Sequence, residues 1–210
     1  MPVPNHVNGI DVSIYQGDIH WPSVKASGYS FAVAKATEGA HYTDADFIYN
    51  LDGIREAGMV AGAYHFLDWN TDATAQAEHF LSVYQPRNGD LPPTLDCEAC
   101  TVEPNVAIAM VSKFLQTVEP HLAGARMLLY MSFSFPSDHL NGGSGFSGHP
   151  LWVAAYNNDA NAPVPNAWNK ATMWQWSDSG NVGGIEGSVD LDRFLGTLDD
   201  LHAFTLKGLP

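Results

Sequence analysis

The sequence predicts an α/β chain closed into a single modified (β/α) barrel, TIM-like, with helices mainly in its first half. Three observations carry this expectation. Short apolar runs recur along the whole length, helical periodicities separate the early ones, and the links after Met131 are rich in Gly, Asn, Asp and Pro. Near-continuous apolar runs suit strands buried on both faces, and parallel neighbours need long, usually helical, crossovers. A closed barrel that has lost its late helices fits best; an open doubly wound sheet is the alternative. The 210 residues suit one catalytic domain over 1–210 with a sizeable core.

The elements follow in order. Val7 to Val12 is the first run, and Trp21 to Ala26 suits a short helix before Gly28. Phe31 to Ala36 is the second run. Phe47, Leu51, Ile54 and Gly58 then recur at helical spacing, with Asp44 as N-cap. Met59 to Phe66 is the third run, and a helix is expected from about Asp72 to Tyr84. Thr94 to Cys97 is the fourth. Pro104, suited to a first turn, opens a helix in which Val106, Met110, Phe114 and Val118 repeat every four positions. Arg126 to Met131, Leu151 to Tyr156, Thr172 to Trp176 and Ile185 to Leu191 complete the candidate strands. Loops over 142–148, 157–165 and 177–184 join the last of them.

Composition narrows the function. At 45% hydrophobic residues the chain is too apolar for disorder. No run approaches the ~18 apolar residues of a membrane span. The opening Met1-Pro2-Val3-Pro4-Asn5-His6 has neither a basic start nor an apolar core, so it does not read as a signal peptide. The net charge of −14, with only 9 dispersed Lys and Arg, speaks against nucleic acid and anionic membranes as partners. Cys97 and Cys100 follow a strand instead of opening a helix, which disfavours a redox pair. They fit a local disulfide or two free thiols. The nine His residues form no H-E-x-x-H, and no G-x-S-x-G elbow follows a strand. No metal or cofactor is expected.

In such barrels the site lies at the carboxyl ends of the strands. Polar residues there include Asp11, Glu38, the pair Asp96 and Glu98, and Asp190. Asp96 and Glu98 are two apart and leave the same face of one strand. Asp11 and Asp190 approach that pair if the first and last strands are neighbours. Asp192, beside Arg193, reads as an ordinary loop or helix-start residue. Clustered carboxylates raise one another's pKa, as a glycosidic general acid needs. Glu98, nearer the strand tip, is the candidate acid, and Asp96 the carboxylate that stays ionised. Aromatics at strand ends, among them Tyr64, Phe66, Tyr130, Trp152 and Tyr156, offer faces for sugar rings, with core packing expected for about half of such residues. His65 reads as a satisfied core histidine.

Here the sequence resembles glycoside hydrolase family 25, the Chalaropsis-type lysozymes. The matching segments are Gly9-Ile10-Asp11-Val12-Ser13 with Tyr15-Gln16-Gly17, Ala34-Lys35-Ala36-Thr37-Glu38-Gly39, and Gly62-Ala63-Tyr64-His65-Phe66. They continue in Leu95-Asp96-Cys97-Glu98, Leu151-Trp152-Val153-Ala154-Ala155-Tyr156, Trp174-Gln175-Trp176 and Val189-Asp190-Leu191-Asp192. The resemblance implies a flattened barrel and hydrolysis of the β-1,4 bond between N-acetylmuramic acid and N-acetylglucosamine in peptidoglycan. It implies Glu98 as proton donor, and Asp96 as second carboxylate or as the group that orients the substrate's N-acetyl. Asp11 and Asp190 are the other acidic positions. Lys35, Glu38, Tyr64, Phe66, Tyr130, Trp152, Tyr156 and Gln175 are expected to bind the glycan. The expected partner is the peptidoglycan strand, met by a secreted monomer or a phage lysin.

Overall fold

The computed structural model describes residues 6–157 and 161–209. The amino-terminal reading, and part of the 157–165 link, lie outside the described residues. Nine strands form the sheet: β1 (Val7–Val12), β2 (Phe31–Glu38), β3 (Tyr42–Thr43), β4 (Val60–Phe66), β5 (Thr94–Asp96), β6 (Leu128–Ser132), β7 (Leu151–Ala154), β8 (Met173–Gly180) and β9 (Val189–Phe194). Their order is β1-β9-β8-β7-β6-β5-β4-β2-β3, and β1 also pairs with β2. The sheet therefore closes into an eight-stranded barrel, with β3 hung on β2 as a short antiparallel flap. Closure rules out the open doubly wound sheet.

The helices are α1 (Trp21–Ala26), α2 (Phe47–Glu56), α3 (Ala73–Val83), α4 (Pro104–Val118), α5 (Phe135–His139) and α6 (Leu198–Phe204). The first four lie where the sequence reading puts them, α2 to α4 on their periodicity and α1 before Gly28. Asp72 caps α3, its side chain accepting from the Ala75 amide. Asp44 does not cap α2 itself: Asp46 holds that position, and Asp44 accepts from the amides of Asp46 and Ile14. At five and seven residues, α5 and α6 are too short to show a period.

The largest departure is at closure. Every barrel pairing from β1 through β2 and on to β8 is parallel, but β9 runs antiparallel to both β8 and β1. The strand also lies later than the apolar run Ile185 to Leu191. Ile185 is buried in a turn, its amide bonded to the Val182 carbonyl, and Gly187 follows at φ +87°. The strand proper, Val-Asp-Leu-Asp-Arg-Phe, alternates instead of running apolar.

The pleat sorts side chains into two cores. Ile10, Ala34, Leu95, Leu129 and Val153 face outward, in the cluster shared with the helices. Val7, Phe31, Val60, Leu128, Met173 and Phe194 face inward and, with Leu91 and Leu201, fill the floor. Gly9 makes room there: a Cβ on it would stand 2.1 Å from the Phe31 ring. Higher on the same inward face, the side chains turn polar.

Candidate active site

Two to four residues above the floor, the inward face carries Asp11 on β1, Lys35 on β2, Tyr64 on β4, Asp96 on β5, Tyr130 on β6 and Gln175 on β8. They surround one open cavity of about 210 Å³, which Phe66, Glu98, Trp152 and Asp190 also line. Because β9 descends, Asp190 sits near its amino end, yet at the same mouth, directly across from Asp11. Of the expected site residues, only Glu38 and Tyr156 stand outside the lining. Glu38 accepts from Lys35 Nζ at 2.6 Å, and Tyr156 donates its hydroxyl to Gln175 Oε1 at 2.6 Å.

Gln175 organises one wall. Its Oε1 also accepts from Tyr130, and its Nε2 donates to Asp11 Oδ2 at 2.7 Å. Asp192, read from sequence as an ordinary loop residue, is instead buried beneath this wall. It shares the inward face with Asp190, accepts from Trp152 Nε1 at 2.9 Å, and lies close enough to Asp11 for that carboxyl to raise its own. Two carboxyl groups buried side by side favour a proton on one of them. Burial, then the Asp190 charge, pushes Asp11 up to about 8 against the opposing Gln175 bond. Asp192 is also raised, by burial first and Asp11 second.

Across the cavity, burial first, then Glu98 and Asp11, lifts Asp96 well above the ordinary carboxylate range, with Lys35 opposing. Its Oδ1 is buried and receives no hydrogen bond. Glu98 stays within reach of solvent at the rim. Partial burial raises its carboxyl, Lys35 opposes, and Asp190 adds to the rise. Burial thus favours the protonated form at both Asp96 and Glu98, and Lys35 opposes it at both. Lys35 lies 4.8 Å from the centre of the Phe66 ring and serves as the local countercharge.

Other residues hold this arrangement together without announcing themselves in the sequence. Trp69 Nε1 donates to the Glu98 carbonyl at 2.6 Å. The loop bearing Trp69 is tied by Gln76, whose amide donates to the Asp68 and Thr71 carbonyls. Gln76 Oε1 accepts from His65 Nε2, which leaves Nδ1 to accept from Thr37. His65 is fully buried, and burial lowers its pKa to about 4, as suits a core histidine. Cys97 and Cys100 are free thiols; Cys97 is buried and its thiol is raised well above the usual value, burial first. Ala99 between them adopts φ +48° and turns the chain directly after Glu98.

Known proteins resemble this chain in both sequence and fold. The model of the glycosyl hydrolases family 25 matches residues 10–185. Lysozyme M1 of Streptomyces globisporus is 34% identical over 209 residues, 94% of this chain and 70% of that protein. The N,O-diacetylmuramidase of Chalaropsis sp is 30% identical, over 91% of this chain and 99% of its own length. The crystal structure of a bacterial lysozyme from Streptomyces coelicolor superposes with a TM-score of 0.88 at 33% identity, covering 95% of this chain and 96% of that one. With a family match over residues 10–185 and relatives aligned over 91–94% of its length, the chain belongs to glycosyl hydrolases family 25 and is a glycoside hydrolase.

Proposed function

We propose that the chain is a lysozyme, hydrolysing the β-1,4 bond between N-acetylmuramic acid and N-acetylglucosamine in peptidoglycan. The observation that carries the proposal is the convergence of Asp11, Asp96, Glu98 and Asp190 on one open cavity with aromatic walls. Glu98 is the general acid. Its position at the rim lets it reach a glycosidic oxygen in the groove and regain its proton from solvent afterwards. Partial burial raises its carboxyl above the ordinary value, which favours the protonated form that a general acid needs. Asp96 offers Oδ1 as an acceptor lacking a donor, which the N–H of a substrate acetamido group would supply. Asp190 places negative charge on the opposite wall, where the anomeric carbon becomes cationic, and Asp11 stands directly across from it. Tyr64, Phe66, Tyr130 and Trp152 shape the sugar-binding walls, and Lys35, Glu38, Tyr156 and Gln175 orient them.

In this reading residues 1–210 act as one catalytic unit, a monomer working outside the cytoplasm on intact or phage-attacked walls. Among the described residues no helix is long and apolar enough to cross a membrane.

The test is Glu98→Gln. Loss of at least ~100-fold in lysis, with glycan binding kept, is the expected result; unchanged lysis would remove Glu98 from its role. Mass spectrometry of digested peptidoglycan identifies the bond. New reducing-end muramic acid supports the proposal. Reducing-end glucosamine or free peptides would overturn it.

A further inference from the structure

Beside the catalytic cavity, on the outer face of β8 and β9, lies a second hollow of about 420 Å³ lined by Tyr156, Trp174, Trp176, Asp178 and Arg193. Strand alternation turns Arg193 away from Asp192 and toward Trp174, its register partner. The guanidinium carbon lies 5.3 Å from the Trp174 ring centre and 4.5 Å from that of Trp176. Arg193 is partly buried, its Nε has no hydrogen-bond partner, and among the described residues it makes no ion pair. Burial lowers its basicity, and no carboxylate among the described residues offsets that shift. Among the described residues nothing compensates this cation, in a chain with 23 acidic and 9 basic residues. Desolvating a guanidinium is costly, and stacking on two tryptophans recovers only part of the cost. A buried donor without a partner asks for an acceptor.

The two hollows share a wall. The Tyr156 hydroxyl reaches into the catalytic side through Gln175 Oε1, while its half-exposed ring lines the outer hollow. A glycan strand lying in the catalytic groove projects its side branches laterally. We infer that the outer hollow receives the peptide stem of a muramic acid unit, a stem carboxylate seating on Arg193 between the two tryptophans. The inference rests on the muramidase reading. Stem chemistry fits the hollow: its carboxylates match Arg193, and an amino group would find Asp178, which lines the hollow without pairing to Arg193. A planar carboxylate also suits the fork of a guanidinium better than an ammonium would.

The experiment measures kcat and KM for wild type and Arg193→Gln on three uncross-linked substrates. These are glycan strands with intact stems, strands whose stem carboxylates are amidated, and strands stripped of stems by an amidase. Wild type should show a KM about tenfold lower on intact stems than on either of the others. Arg193→Gln should lose that preference, with kcat within about twofold and stripped strands handled as by wild type. An equal rise in KM on all three substrates would mark Arg193 as a packing residue and overturn the inference. So would a wild type indifferent to the stem, a result that needs no variant to fold. Failure of wild type to cleave any of the three would instead strike the muramidase reading itself.

Discussion

Asp11 shows how a single side chain ties function to stability. Its carboxyl is raised from 3.8 to about 8 by burial and by Asp190. A group raised in the folded state contributes its full stability below its unfolded pKa and loses it as pH climbs to the folded value. Asp11→Asn, which removes the charge and keeps the shape, should therefore stabilise the protein progressively between pH 4 and pH 8. The gain should reach about 2–5 kcal/mol at the upper end. Thermal melts of both proteins across that range check this, and a pH-independent difference would refute it. His65 works the other way. Lowered to about 4, it costs stability as pH falls from its unfolded value toward 4. At this scale the sequence was partly legible. Asp96 and Glu98 stand two apart, and period-two geometry alone places them on one face. Asp192 was misread because its neighbour Arg193 suggests solvent, whereas alternation turns Asp192 inward and Arg193 outward.

Among elements, the link between β4 and α3 matters most to the site. It carries Trp69, whose indole holds the Glu98 carbonyl and whose ring stacks on Phe135 at 6.0 Å between centres. Trp69 is a positioning residue, acting on the reaction through Glu98. Trp69→Phe keeps the ring and removes the donor, a loss of about 1–1.5 kcal/mol. We expect kcat to fall about tenfold, KM to hold within about twofold, and the pH limb assigned to Glu98 to move. A drop in melting temperature with unchanged kinetics would show that the contact serves only the fold. Nothing in the sequence signals this link, because the hydrogen bond joins two loop segments 29 residues apart. The long helices α2, α3 and α4 were legible, since two or more turns display a stripe. Helices α5 and α6 were not, and the two residues of β3 are too few to alternate.

For the whole molecule, the net charge of −14 sets the terms of approach to an anionic wall. Long-range repulsion is screened once the Debye length falls to about 10 Å, near 0.1 M salt. Lysis rates should rise as salt is added from low ionic strength, before contacts in the groove weaken at higher salt. A rate that falls from the first addition would count against the electrostatic account. The barrel itself was readable from recurring apolar runs with helices between the early ones. Its closure was not. Antiparallel pairing of the last strand depends on a turn at 181–188, whose direction no periodicity encodes.

That reversed strand has a practical consequence. Since β9 travels downward, the chain emerges beneath the floor, where α6 plugs the base with Leu201 and Leu209 is clasped by Asn88 through two hydrogen bonds. Cargo tethered past that clasp would trail behind the enzyme and leave the entrance unshaded. The same cargo spliced into 181–188 would hang over the doorway and compete with the polymer for it.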